Sequence, residues 1–125
     1  MKQFITILVS IACLCGCEKI FIPSSVTLSA DGETITVETT IQPMTMDIRD
    51  RDGNGIGIPE HDEATGTYTL TWEWLSASIS ESSYENGTYK LVLTAQKNTT
   101  GAIRTLYVGG MDKNYQDCMK VTQSK

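Results

Sequence analysis

The sequence predicts an all-β protein, an immunoglobulin-like β-sandwich of about seven strands in a single domain. Three observations predict it. Short runs of alternating apolar and polar residues recur along the chain, clusters of Asp, Asn and Gly separate them, and no long window carries the apolar stripe of an amphipathic helix. The 125 residues are 40% apolar and 20% charged, which is typical of one small globular domain.

The first residues have the anatomy of an export signal. Lys2 precedes an almost uncharged run, Phe4 to Leu14, which is shorter than the roughly 20 residues that a membrane-spanning helix needs. The run ends in Leu14-Cys15-Gly16-Cys17, which resembles the bacterial lipobox because an aliphatic residue and two small residues precede the acceptor Cys. We therefore expect Cys17 to be the lipidation site, with the acyl chains inserted in a lipid bilayer.

This processing sets the expected domain organisation and location. Residues 1–16 are expected to be a lipoprotein signal peptide that is removed, residues 17–25 a lipid-anchored tether, and residues 26–125 the folded domain. The expected location is the cell envelope, at the outer membrane, with either the periplasmic or the external face possible. An acidic domain is repelled by anionic lipid, so the acyl chains are expected to do the anchoring.

The folded part is predicted to open with a hairpin. Strands at 26–29 and 34–41 flank the turn Asp31-Gly32, a pair that supplies the positive backbone angles of a tight turn. Apolar alternation resumes at 44–48, and a loop rich in Asp, Gly and Pro follows at 49–66. The later strands are predicted at 67–79, 88–96, 102–108 and 118–123. The residues expected in the core are Ile35, Val37, Leu70, Trp72, Leu91, Leu93, Leu106, Val108 and Val121.

One segment of the predicted loop satisfies half of a calcium-binding motif. Asp50, Asp52 and Asn54 stand at the first, third and fifth positions of Asp-x-Asp-x-Asn-Gly, where oxygen ligands are needed. The twelfth position is His61 in place of a bidentate Glu, so the motif is incomplete. Two interpretations follow: a calcium site, or a solvated turn in which Asp, Asn and Gly are common anyway.

Aromatic residues offer a second candidate site, for a glycan ligand. If one strand alternates strictly, Tyr68, Leu70, Trp72 and Trp74 share a face, and exposed rings stack well on the apolar faces of sugars. The alternative is that both Trp side chains belong to the core, as is usual in a sandwich. The rings expected at the surface are those of Tyr84, Tyr107 and Tyr115.

Composition argues against several classes of function. Ten Lys and Arg against 15 Asp and Glu give a net charge of −5, so nucleic acid is not an expected partner. The chain has one His, His61, which is expected in a solvated loop, and it lacks a Gly-rich phosphate loop. We therefore expect a protein that is not an enzyme and that uses no cofactor, calcium excepted.

The second half of the chain resembles the BACON domain. The resemblance is carried, in order, by Trp74-Leu75-Ser76, Tyr89 to Ala95, Asn98 to Gly101, Arg104 to Val108, and the closing Lys120 to Gln123. It implies a β-sandwich of secreted and lipid-anchored Bacteroidetes proteins, for which carbohydrate or mucin binding has been proposed. The loop at 49–66 has no counterpart in that pattern, and this domain is expected to be solitary, not a module ahead of an enzyme.

Two functions are open from the sequence. The first is a lipid-anchored binding module of the cell envelope that recognises carbohydrate or mucin glycans through loops at one end of the sandwich. The alternative is a structural or accessory subunit of an outer-membrane protein complex, which has an envelope protein as partner and no free ligand.

Overall fold

Two five-stranded β-sheets make up the computed structural model, which describes residues 25–110 and 118–125. The prediction of an all-β sandwich is confirmed, with ten strands in place of about seven. No helix in these residues is long and apolar enough to cross a membrane. The strands are β1 (Ser25–Leu28), β2 (Glu33–Thr39), β3 (Met46–Arg49), β4 (Gly55–Gly57), β5 (Glu60–Asp62), β6 (Thr67–Trp72), β7 (Leu75–Ser80), β8 (Tyr89–Ala95), β9 (Arg104–Gly110) and β10 (Met119–Gln123).

The sheets have distinct strand orders. Sheet A runs β1-β10-β9-β3-β4 and sheet B runs β2-β8-β7-β6-β5. β1 pairs with β10 in parallel, with Ser25 opposite Lys120, and the other pairs within the described sheets are antiparallel. The first and last strands of the described chain therefore lie side by side at one edge of sheet A.

The hairpin predicted across residues 26–41 is wrong in its pairing. β1 joins β10 in sheet A and β2 joins β8 in sheet B, so the turn between them carries the chain from one sheet to the other. The turn itself forms: the N–H of Gly32 donates to the carbonyl oxygen of Ser29 at 3.1 Å, and Gly32 has a φ of +94°. Alternation specifies which face of a strand is buried and leaves the pairing partner open.

The strand number differs from the prediction at two places. The segment 49–66, predicted as a loop, contains β4 at the edge of sheet A and β5 at the edge of sheet B. The predicted strand 67–79 is two strands, β6 and β7, joined by a tight turn in which Glu73 has a φ of +57°. Both short edge strands pair with a neighbour on one side only, as edge strands commonly do.

The core lies between the sheets and consists of alternate residues of the strands. Most of the residues predicted for it are buried, whereas three of them are only partly buried. The buried ones are Leu70, Leu91, Leu93, Leu106, Val108 and Val121. The partly buried ones are Ile35 and Val37 on edge strand β2, and Trp72 at the end of β6.

The strand directions determine which turns and connections lie at each end of the sandwich, and we name the ends after Ser25 and Gln123. At the Ser25 end lie the start of β1, the connection from β2 to β3, and the connection from β7 to β8. At the Gln123 end lie the turn from β1 to β2, the turn from β6 to β7, and the connection from β8 to β9.

Candidate functional site

A cleft of about 340 Å³ opens at the Ser25 end of the sandwich. It lies between the connection from β2 to β3 and the ends of three sheet B strands, β6, β7 and β8. We call it the tyrosine cleft, because two of its walls are tyrosine side chains. Its lining residues are Gln42, Pro43, Met44, Thr45, Tyr68, Glu81 and Tyr89.

One wall is a 3-10 turn, Pro43–Thr45, that follows β2. Pro43 suits this position because its ring fixes φ near −65° and it has no N–H to satisfy. The N–H and the hydroxyl of Thr45 both donate to the carbonyl oxygen of Gln42, at 2.9 Å each. The closed turn leaves the side chain of Met44 68% exposed at the rim.

The opposite wall is built around Tyr68. Its hydroxyl donates to Oε2 of Glu81 at 3.0 Å, and the ring of His61 stacks on it with centroids 4.2 Å apart and planes 15° apart. This hydrogen bond, followed by burial and by the negative charge of Glu81, raises the pKa of Tyr68 above its usual 10.0. His61, predicted in a solvated loop, lies instead on β5, opposite Tyr68.

Glu81 is held at the end of β7 by its backbone. Its N–H donates to the carbonyl oxygen of Gly66 at 2.8 Å. Glu81 opens a second 3-10 turn, Glu81–Ser83, in which the Ser83 hydroxyl donates to the carbonyl oxygen of Ser80 at 2.7 Å. The same hydroxyl accepts the N–H of Lys90 at 3.0 Å, which fastens this turn to the start of β8. The carboxylate therefore sits on a fixed backbone.

Tyr89 completes this side of the cleft, and Tyr84 lies against it outside the lining. Tyr89, the first residue of β8, packs against the core, and its ring lies 4.8 Å from that of Tyr84, tilted by 54°. Tyr84 is 55% exposed, as the sequence predicted. The turn between them uses Asn86 and Gly87, both with positive φ, in the manner of a type I′ hairpin.

The other aromatic candidates do not join this cleft. Trp74 lies in the turn after β6 and is only 6% exposed, as the alternative of a core Trp expects. Trp72 is partly buried against the core at the Gln123 end. Tyr107 is half-buried on the outer face of sheet A, opposite Lys120, and Tyr115 lies outside the described residues.

One of the predicted calcium ligands, Asp50, uses its carboxylate within its own loop. Oδ1 of Asp50 accepts the N–H groups of Asp52 and Asn54, each at 2.9 Å, and so closes the turn from β3 to β4. A Cβ on the next residue, Gly55, would overlap the carbonyl of Ile48. Within residues 25–110 and 118–125, no three His, Cys, Asp or Glu side chains are grouped closely enough to hold a metal ion.

A second cluster lies at the Gln123 end, and it is structural. Gln123 is fully buried; its Nε2 donates to the carbonyl oxygens of Ser29 at 2.9 Å and Gln96 at 2.7 Å. Its Oε1 accepts Nε–H of Arg104 at 2.8 Å, and the guanidinium of Arg104 lies 4.9 Å from the ring centroid of Trp74. We call Trp74, Asn98, Arg104 and Gln123 the Gln123 network.

Asn98 extends this network into the connection from β8 to β9. Its Nδ2 donates to the carbonyl oxygens of Ala102 and Ser124, each at 2.8 Å, and its Oδ1 accepts the N–H of Thr100 at 3.0 Å. No buried side-chain nitrogen or oxygen in the described part of the chain lacks a hydrogen-bond partner. The residues of the Gln123 network thus hold the two sheets together at this end.

Sequence reasoning missed the residues that build the tyrosine cleft. Tyr68 was placed in a row with two Trp residues, and Tyr89 was treated only as part of a strand. The available signal was positional, because Tyr68 is the second residue of one strand, Glu81 follows the next strand, and Tyr89 begins the third. In an antiparallel meander those three positions meet at one end of the sheet.

Comparison with known proteins yields little. No protein-family model matches the chain, and no curated protein matches it. One similar solved structure is a Bacteroides ovatus GH5 xyloglucanase in complex with a XXXG heptasaccharide, at 15% identity and a TM-score of 0.46. The match covers 85% of this chain and 18% of that chain, and at this TM-score it carries no argument.

Proposed function

We propose that this protein is a non-enzymatic binding module of the cell envelope that takes a carbohydrate ligand in the tyrosine cleft. The observation that carries the proposal is the cleft itself. It combines aromatic rings, an exposed Met44 and a fixed carboxylate in a concave site of about 340 Å³. Ligand sites of small molecules have this composition, with mostly apolar walls and a few placed polar groups.

The chemistry of the cleft matches a sugar. The half-buried ring of Tyr89 is suited to stack on the apolar face of a pyranose, whereas Tyr68, only 8% exposed, holds Glu81 in place. The Glu81 carboxylate accepts hydrogen bonds from hydroxyl groups. Met44 adapts its shape to an irregular apolar face. Tyr68 and Glu81 need no reorganisation, because they already hold each other at 3.0 Å.

Glycoside cleavage is not part of the proposal. It needs two carboxyl groups across the scissile bond, about 5 to 9.5 Å apart. Glu81 is the carboxylate among the described residues that line the cleft. We therefore assign the cleft to binding.

Binding is tested with the full chain, purified in detergent, on a glycan array and by calorimetry. Met44→Ala removes an exposed lining side chain, and Tyr84→Ala removes the exposed ring that packs on the lining residue Tyr89. Both changes leave the core intact and are expected to weaken binding at least about fivefold. Tyr107→Ala is the matched control, because it removes an equal ring from the outer face of sheet A. An array without any bound glycan, or equal losses in all three variants, would refute the proposal.

The anchor is proposed to be a lipid on Cys17, with the protein at the outer membrane. Support comes from the sequence of residues 1–17, which lie outside the described residues together with the rest of the proposed tether up to residue 24. Metabolic labelling with a palmitate analogue in a bacterial host tests the site. Label is expected on the wild type and on Cys15→Ser and absent from Cys17→Ser; label retained by Cys17→Ser contradicts the assignment.

A second candidate is an accessory subunit of an envelope complex. Ile58, between edge strands β4 and β5, is 78% exposed, and Ile56 on β4 is also exposed. Exposed apolar residues beside open strand edges are typical of protein contacts. Co-purification of a membrane protein that is lost in an Ile56→Ser/Ile58→Ser double variant, together with an empty glycan array, favours this function.

A further inference from the structure

The charges around the tyrosine cleft specify which class of sugar fits it. Resting on the proposed function, we infer that the ligand is a neutral glycan, free of carboxylate, sulfate and phosphate groups, and that Glu81 selects it. Glu81 is the one acidic or basic side chain among the described lining residues. The remaining walls are aromatic, apolar or neutral polar groups.

Glu81 has unused hydrogen-bonding capacity. An ionised carboxylate only accepts, with about four lone-pair positions on its two oxygens. Among the described residues, the hydroxyl of Tyr68 is the donor bound to this carboxylate, at Oε2. The ligand groups that complete its bonding must therefore be donors, and sugar hydroxyls are donors of the right size.

Among the described residues that line the cleft there is no Lys or Arg that could compensate the negative charge of an acidic sugar. The nearest Lys along β8, Lys90, is directed to Glu85, with Nζ 3.9 Å from Oε1. An acidic group on the ligand would thus meet Glu81 without a counter-charge, on a protein with a net charge of −5. Unscreened repulsion of this kind at a partly wet site weakens binding by about five- to tenfold at low ionic strength.

The test uses matched pairs of ligands with the full chain. Neutral oligosaccharides of glucose, galactose and mannose are each compared with their own uronate, made by selective oxidation of the C6 hydroxyl groups. Calorimetry in low-salt buffer is expected to show at least one neutral member bound and its uronate at least about fivefold weaker. In about 1 M NaCl the difference is expected to shrink for the wild type, because the screening length falls to about 3 Å.

The substitution Glu81→Gln tests whether the charge of Glu81 causes the selectivity. The amide oxygen still accepts hydrogen bonds, so neutral binding is expected to stay within about threefold while the neutral-to-uronate ratio falls to within about twofold. Glu73→Gln is the matched control, since it removes the same charge from an exposed residue in the turn at the Gln123 end. It is expected to leave the ratio unchanged.

The outcomes separate the inference from the proposed function. A uronate that binds as tightly as its neutral partner overturns the inference and leaves carbohydrate binding in place. The role of Glu81 is overturned if Glu81→Gln leaves the neutral-to-uronate affinity ratio unchanged. It is also overturned if Glu73→Gln changes that ratio by the same amount. If neither member of any pair binds, the proposed function is refuted and the inference with it.

Discussion

Replacing Gln123 by Leu is the sharpest test of what holds the sandwich together. The two side chains are similar in volume, so the change leaves little cavity and mainly removes hydrogen bonds. The carboxamide makes three of them, to Ser29 O, Gln96 O and Arg104 Nε, at 2.9, 2.7 and 2.8 Å. Because Gln123 is fully buried, water does not replace them.

The expected loss is moderate in size. Two neutral hydrogen bonds contribute about 1 kcal/mol each, and the one from Arg104 about 1.5–3 kcal/mol. Both carbonyls keep another donor: Gly32 N for Ser29 and, at 3.4 Å, Arg104 Nη2 for Gln96. We therefore expect Gln123→Leu to lower the free energy of unfolding by about 3 kcal/mol, out of the roughly 5–15 kcal/mol typical of a domain.

Equilibrium urea unfolding of the full chain, followed by far-ultraviolet circular dichroism, measures this loss. With a slope near 1.5 kcal/mol per molar urea, the midpoint is expected to fall by about 2 M. Gln96→Leu is the matched control, because that side chain is exposed and only its backbone enters the network; it is expected to change stability by less than about 0.5 kcal/mol. A loss below about 1 kcal/mol for Gln123→Leu would refute the reasoning.

Three further predictions follow from local geometry. Gly32→Ala is expected to lower the free energy of unfolding by about 1–3 kcal/mol, because the added Cβ would lie 3.1 Å from the carbonyl oxygen of Ala95. Gly87→Ala, at a similar φ but with no atom within 4 Å of the added Cβ, is expected to lower it by about 1 kcal/mol. Equal urea midpoints for the two variants would contradict this. The interactions that raise the pKa of Tyr68 stabilise the fold below about pH 10, and this contribution is lost as the pH rises through the folded-state pKa. Tyr68→Phe is therefore expected to flatten the decline in stability above about pH 10, and parallel curves would refute this. In Trp72→Phe, the remaining Trp74 is expected to emit at a wavelength well below that of free indole and to resist acrylamide quenching, and emission like free indole would contradict its burial.

The sequence predicted well what depends on local pattern. The strands at 88–96, 102–108 and 118–123 were placed to within about two residues, because alternation and flanking turn residues act over short range. The turns at Gly32 and Gly87 formed because only Gly adopts those positive φ values without strain. The buried faces of β8, β9 and β10 follow from the same alternation.

The predictions that failed are those that depend on which distant segments pair with each other. Asp31-Gly32 favours a tight turn, and nothing local states whether its two strands pair or separate into different sheets. Likewise Glu73 and Trp74 interrupt the run 67–79 without a Gly, Asn or Asp to mark the turn. The cleft was missed for this reason: Tyr68, Glu81 and Tyr89 become neighbours only through the β6–β7–β8 pairing.

Under the proposed function the two ends of the sandwich differ in role, and the position of Ser25 determines which end an anchor would hold near a membrane. Ser25 begins β1 at the same end as the tyrosine cleft, because β1 runs parallel to β10 towards Gln123. From Cys17 to Ser25 an extended chain reaches at most about 30 Å. An anchor on Cys17 would therefore hold the cleft end, not the Gln123 end, near the bilayer. Under the proposed function, a flexible glycan chain that can enter from the side is a better ligand than a rigid, bulky one.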